Sequence, residues 1–172
     1  MAELTISGDT HPILKDDYAS EWMGIEVVAL DDGHATIRMA LRQEMLNGFG
    51  MAHGGMIFAF GDTAFALACN PATPDPADEG SITVASGVDI NFLKPAFRGQ
   101  VLTAVANRRA STGRSGLYDI QIYAADPVAG SPTAAPAATA RAATVPGELP
   151  TDILPGELVA EFRGRSRTIS KK

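Results

Sequence analysis

Polar and hydrophobic positions alternate with a period of two in several separate stretches. Residues 34–41 set Ala35, Ile37, Met39 and Leu41 against His34, Thr36 and Arg38, which predicts a half-buried strand. A short apolar run at 25–30 precedes it, and Asp31-Asp32-Gly33 between the two is a hairpin signal. Residues 81–93 place Ile82, Val84, Val88, Ile90 and Phe92 on one face and Thr83, Asp89 and Asn91 on the other. After a turn marked by Pro95 and Gly99, residues 100–110 and 115–124 predict two more strands, joined by Ser111-Thr112-Gly113-Arg114. In the second of these, Tyr118, Ile120 and Ile122 oppose Asp119 and Gln121, and a last strand is expected at 157–169.

Two stretches follow helical spacing instead. Residues 12–22, PILKDDYASEW, predict a short helix with Pro12 in its first turn, Ile13, Leu14, Tyr18 and Trp22 at a rough 3–4 spacing, and Gly24 at its end. Residues 54–70, GGMIFAFGDTAFALACN, follow a loop at 42–53 that holds Asn47, Gly48 and Gly50, and stop at Asn70-Pro71. This helix is apolar on nearly every side, which predicts burial all round. A long antiparallel sheet wrapped around it supplies that cover, so the fold class is expected to be α+β, one domain over residues 1–172. Residues 124–146 break the pattern, with 10 Ala and 4 Pro in 23 positions and no strand period. With the Gly and Pro that continue to Gly156 they predict an Ala/Pro-rich loop insertion at about 125–156.

Composition excludes several classes. The 172 residues are 45% hydrophobic and 20% charged, which is ordinary for one globular domain. No apolar run reaches the ~18–20 residues that span a bilayer, so no membrane partner is expected. The opening MAELTISGDTHPILKDD lacks the basic and apolar regions of a secretory signal, and the single Cys69 forms no internal disulfide. A cytoplasmic location is therefore expected. The net charge of −6 argues against nucleic acid as a partner. That charge is uneven: residues 1–86 carry 3 basic and 13 acidic side chains, and residues 87–172 carry 11 and 7. The basic half suits either an anionic ligand or plain solvation.

The candidate chemistry centres on the apolar helix. Apart from the Cys69 thiol, Asp62 is its only ionisable side chain, and burying a carboxylate without partners is costly. It lies too deep in the helix to be an N-cap. Gly54 and Gly55 stand at the helix start, where unpaired backbone N–H groups and the positive dipole end can stabilise an oxyanion. They equally suit a tight loop-to-helix turn. Gly54 and Asp62 are separated by about 12 Å along a helix at ~1.5 Å per residue. Both must lie about 3 Å from one reacting group if they serve one reaction. A single helix does not place them so, whereas two antiparallel copies across a two-fold axis do, which makes a dimer the smallest active unit. His53 could donate to a carbonyl or act as a base, or be a loop histidine; Asn47 could orient a water, or form an Asn-Gly turn. His11 and His34 read as surface residues, and with one cysteine they form no metal-ligand pattern, so no metal is expected. Phosphate-loop, dinucleotide and nucleophile-elbow motifs are absent.

The stretch NGFGMAHGGMIFAFGDTAFALACN at 47–70 resembles the hotdog-fold thioesterases of the phenylacetyl-CoA (PaaI) type. The likeness continues through ASGVDINFLKPAFRGQVLTA at 85–104, TGRSGLYDIQIY at 112–123 and EFRGRSRTI at 161–169. It implies a six-stranded antiparallel sheet around the long helix, dimers and usually tetramers, and hydrolysis of acyl-CoA thioesters with aryl-acetyl groups favoured. By position it implies Asp62 as nucleophile or general base, the Gly54 N–H of the neighbouring subunit as oxyanion donor, and His53 and Asn47 in support. Coenzyme A is then part of the substrate and no resident cofactor is expected. Its phosphates would meet Lys94, Arg108, Arg109 and Arg114, with the pantetheine arm near Asn91–Pro95, although any of these charges also suits a solvated strand end. Met45, Phe49, Met51 and Phe58 are expected to border the acyl group. The Ala/Pro-rich insertion departs from the family, where a short hairpin joins the last two strands. Two other activities suit the same fold: hydration or dehydration of an enoyl or hydroxyacyl thioester, and acyl-CoA binding without turnover.

Overall fold

The structure, a computed structural model, describes residues 10–73, 80–127 and 156–171. Nearly all of the stretch expected as an insertion at 125–156 lies outside the described residues. A 3-10 turn at Pro12–Leu14 leads to helix α1 (Tyr18–Met23), strands β1 (Glu26–Asp31) and β2 (His34–Ala40), and a second 3-10 turn at Gln43–Met45. Helix α2 (Gly54–Cys69) follows, then β3 (Ser81–Phe92), β4 (Val101–Thr112), β5 (Ser115–Ala125) and β6 (Glu157–Ser170). The helix expected at 12–22 is divided: Asp16 takes a φ of 62°, and Asp17 restarts the chain as the cap of α1 by accepting from Ser20 N–H. Its apolar side is also less buried than its spacing predicts, since Leu14 is buried but Ile13, Tyr18 and Trp22 are exposed. Trp22 stacks under the Arg42 guanidinium, and Gly24 ends α1 in the left-handed region with φ 70°.

The six strands form one antiparallel sheet in the order β1-β2-β4-β5-β6-β3. Alternation puts Ile37 opposite Ala104, Met39 opposite Leu102, and Ile120 opposite Phe162, all buried on one face. Helix α2 packs across that face, and each large side chain so covered contributes about 1.5–3 kcal/mol. The Phe65 ring of α2 sits 5.2 Å from Tyr118 and 6.2 Å from Phe162. It fits there because Gly164 of β6 lies directly beneath it: a Cβ at Gly164 would meet the ring at 2.8 Å.

Three expectations are corrected. The five apolar residues of β3 do not share a face. A bulge at Ser86 changes the register between Ala85 and Gly87, so Val88, Ile90 and Phe92 face α2 while Ile82 and Val84 face away, and Thr83 turns inward to Thr168 instead. His11 and His34 are buried, not surface residues. His34 lies between Asn107 Oδ1 at 2.7 Å and Thr36 Oγ1 at 3.1 Å. His11 Nε2 donates to the Asn70 carbonyl at 2.8 Å while Nδ1 accepts from Ile13 N–H, which pins the N-terminal segment to the end of α2. Finally, α2 is not buried all round: the sheet covers one side, and the side bearing Gly55, Ala59, Asp62 and Ala66 stays partly open in the single chain.

Two consequences are measurable. Gly164→Ala drives a methyl into the Phe65 ring and is expected to cost about 1–3 kcal/mol, read as a lowered thermal midpoint. Burial holds the His11 ring below its ordinary pKa of 6.5, so the neutral form belongs to the fold. The stability His11 contributes is present above that value and lost as pH falls past it. His11→Gln is expected to flatten the decline in thermal midpoint between about pH 7.5 and pH 5.

Candidate active site

The open side of α2 carries one charge. Asp62 sits at its centre, half-buried, flanked by Gly55, Ala59 and Ala66 at one-turn intervals. Its carboxylate has no hydrogen bond or ion pair among the described residues. Burial pushes its pKa up from the ordinary 3.8, with no cation among the described residues to oppose the shift. The neighbouring Thr63 is turned away from it: its hydroxyl bonds the Ala59 carbonyl at 3.2 Å and meets Ser20 Oγ of α1 at 3.3 Å. Ser20 in turn donates to Asp17 at 2.7 Å, so α1 is fastened along one flank of the open side. The Ser20 contact had no signal in the local sequence, because 43 residues separate the partners. Cys69 is no nucleophile here, since burial pushes its thiol up to about 12.

The helix start is capped by a side chain rather than left bare. His53 Nδ1 accepts from Gly55 N–H at 3.0 Å, and the His53 carbonyl takes the N–H groups of Met56 and Ile57. An Nδ1 that accepts carries no proton, so a neutral His53 presents Nε2–H outward. Gly54 N–H has no partner among the described residues, and Gly54 is half-buried against the Phe92 ring. The loop before it is held by backbone pairing: His53 N–H to Met45 O at 2.9 Å, and Ala52 N–H to Ala96 O at 2.8 Å. Asn47 makes a turn with its own side chain, Oδ1 accepting from Phe49 N–H at 2.9 Å and Met51 N–H at 3.3 Å. Its amide NH2 makes no hydrogen bond among the described residues.

The structure thus groups Gly54, His53 and Asn47 at one end of α2 and sets Asp62 two turns along it. The residues named for coenzyme A are scattered. Lys94 is ion-paired with Glu157, Arg108 with Asp32, and Arg109 with Asp119 at 2.9 Å. Arg114 stands exposed in the β4–β5 turn with no ion pair among the described residues, and its carbonyl accepts from Thr168 N–H. Arg167, beside it across from Ser115, is likewise unpaired among them and was not singled out from the sequence. Pro95 is exposed next to the buried Ala96. Asn91 points to the far face of the sheet, into a polar cavity of about 430 Å³ that it lines with Asp119, Glu161 and Arg163. That cavity opens on the face of the sheet turned away from α2. Phe92 was placed from the sequence only as a strand residue; its exposure at the strand end was not legible there. Among the described residues no group of three or more His, Cys, Asp or Glu side chains is arranged to hold a metal.

One long helix held in a six-stranded antiparallel sheet is the hotdog thioesterase fold. The chain belongs to the thioesterase superfamily, whose family model matches residues 49–131, and it is a thioester-hydrolysing enzyme. The acyl-coenzyme A thioesterase PaaI of Escherichia coli strain K12 is 39% identical over 114 residues, covering 66% of this chain and 76% of that protein. The solved structure of the E. coli PaaI protein from the phenylacetic acid degradation operon matches with a TM-score of 0.69 and 30% identity, covering 99% of both chains. The TT0310 protein of Thermus thermophilus matches at 0.63 and 25% identity, over 88% of this chain and 97% of its own.

Because Asp62 is held uncharged more readily in the fold than in the open chain, charging it costs stability as pH rises through its raised pKa. Asp62→Asn is therefore expected to match or exceed the wild-type thermal midpoint at neutral pH. It should also flatten the pH dependence of that midpoint above about pH 4.

Proposed function

We propose that this thioesterase hydrolyses acyl-CoA thioesters to the free acid and coenzyme A, with phenylacetyl-CoA or hydroxyphenylacetyl-CoA as preferred substrates. The observation that carries the reading is the unpaired, half-buried Asp62 on the same helix as the unpaired Gly54 N–H. Two such helices, antiparallel across a two-fold axis, put the Gly54 N–H of one protomer beside Asp62 of the other. The open side of α2, small at Gly55, Ala59 and Ala66, supports that approach. So does β3, a 12-residue strand that pairs only with β6 among the described strands and leaves its outer edge free. A homodimer is the smallest active unit in this reading, and a homotetramer its expected assembly.

The chemistry needs no more than these groups. The Asp62 carboxylate attacks the thioester carbonyl itself or takes a proton from the water that does. The oxyanion that forms is met by Gly54 N–H at the positive end of the helix, with His53 Nε2–H as a second donor. The carbon–sulfur bond then breaks and the thiolate of coenzyme A, a good leaving group, departs. On the water route it takes the proton that Asp62 had accepted and the free acid remains; on the direct route the acyl group stays on Asp62 as an anhydride, which a water hydrolyses to the free acid and the restored carboxylate, its remaining proton going to the thiolate. Asn47, with its NH2 free, positions the carbonyl or the water. Arg114, joined by Arg167, is the cation pair open to the phosphates of coenzyme A. Lys94, Arg108 and Arg109 would first have to give up a carboxylate partner.

Thiol release from phenylacetyl-, hydroxyphenylacetyl-, benzoyl- and straight-chain acyl-CoA tests the proposal. Asp62→Asn is expected to lose about 10²-fold or more in kcat while remaining folded. The rate of the wild-type enzyme is expected to fall with acid at a pH above the ordinary aspartate range, because Asp62 must be ionised to act. Full activity in Asp62→Asn would remove the carboxylate from the mechanism, and absence of thiol release from every substrate would remove the acyl-CoA reading.

A further inference from the structure

Phe92, the last residue of β3, is the one large apolar side chain on the inner face of that strand that does not sink into the core. Beyond the bulge at Ser86, Val88, Ile90 and Phe92 share the face toward α2. Val88 and Ile90 pack on the core, whereas Phe92 is 52% exposed. Its ring lies instead against the first residue of α2. A Cβ on Gly54 would sit 3.2 Å from Phe92 Cζ, 3.5 Å from Cε1 and 3.7 Å from Cε2. Those atoms form the outer end of the ring, so the ring reaches the helix start end-on. Leu93 and Phe97, each 49% exposed, flank the same region, and Phe97 is bridged to Met51 in the loop that leads to Gly54. Large apolar side chains left exposed in a group mark a binding surface more often than they occur by chance.

We infer that Phe92 is a specificity-determining residue: its ring walls one side of the first residue of α2, crowds any side chain at position 54, and selects thioesters whose acyl group has a flat apolar body one carbon from the carbonyl. The inference rests on the reading of Gly54 N–H as the oxyanion donor. An aryl group beside that ring gains an aromatic contact that a methyl group does not, a preference of about 2- to 12-fold before its larger buried area is counted.

The test compares kcat and KM for phenylacetyl-CoA and acetyl-CoA in wild type, Phe92→Ala, Phe92→Leu, Gly54→Ala and the pair Gly54→Ala/Phe92→Ala. Circular dichroism and size-exclusion chromatography confirm that each variant keeps its fold and assembly. Phe92→Ala is expected to lower kcat/KM for phenylacetyl-CoA by about 10-fold and for acetyl-CoA by less than about 3-fold, with Phe92→Leu shifting the ratio the same way. Gly54→Ala keeps the N–H but adds a methyl that pushes the Phe92 ring out of its place, and is expected to lose about 10-fold or more on both substrates. Removing the ring in the double variant restores acetyl-CoA turnover to within about 3-fold of Phe92→Ala, a non-additive result. An unchanged substrate ratio in Phe92→Ala, or a double variant no better than Gly54→Ala, overturns the inference. Gly54→Pro/Phe92→Ala separates it from its premise. Proline suits the first helical position, and His53 already has the extended ψ of 129° that precedes proline, so this variant keeps the helix start while putting a ring methylene in place of the N–H. If it stays as active as Gly54→Ala/Phe92→Ala, the N–H is not the oxyanion donor and the placement of Phe92 falls with it. If it is inactive while the alanine pair fails to recover, the donor stands and the role of Phe92 alone is overturned.

Discussion

Helix α2 is apolar on most sides, and among the described residues the sheet is the only other element large enough to cover it. The contact between them sets the rest. Phe65 has to enter the sheet surface for the helix to sit close enough, and it does so over Gly164, where any side chain would hold the helix away. The strands then bring Tyr118 and Phe162 against the same ring. A sheet curved round a helix still reaches only one side of it. What lies on the other side is therefore decided by the same packing: it is the part of α2 that must meet another helix, a ligand, or both.

Asp62 gains its character from that geometry. Several strand carboxylates are answered by arginines: Glu26 by Arg38, Asp89 by Arg165, and Asp119 by both Arg109 and Arg163. Asp62 has no such partner, so burial raises its pKa where pairing would lower it. A carboxylate in this state is a stronger base and keeps both oxygens free, at some expense in stability. The helix start shows a similar economy. His53 satisfies Gly55 N–H with one ring nitrogen and turns the other outward, and Gly54 N–H is left for an incoming group.

Three of the four basic residues that the sequence offers to an anionic ligand are paired by the fold. Arg108 from the basic half closes on Asp32 from the acidic half, at the hairpin that joins β1 to β2. Lys94 and Arg109 are paired within the second half. These exposed pairs add little stability, but they lower the local positive field available to an anionic ligand. Among the basic residues singled out by sequence, Arg114 alone keeps an uncompensated charge among the described residues.

The period-two runs, the Asp-Asp-Gly hairpin and the helix at 54–69 were legible because each depends on residues within a few positions of one another. Asp62 was legible for a related reason, since a lone charge in an apolar helix is anomalous whatever surrounds it. Gly54 and His53 were legible as the start of that helix, although the hydrogen bond from Gly55 N–H to the His53 ring was not. The rest depended on contacts across the fold. One extra residue at Ser86 reversed the face of half a strand, because side-chain direction in a strand counts every residue while the local pattern does not mark which one is unpaired. His11 and His34 look polar and solvent-bound in sequence, yet Asn70, Asn107 and Thr36 satisfy them in the interior. The partners of the arginines, and the meeting of Phe92 with Gly54, join residues far apart in the chain. Local propensity and periodicity are short-range properties of a polymer and can be read along it, whereas burial, ion pairing and the free side of a helix exist only once distant segments have been brought together.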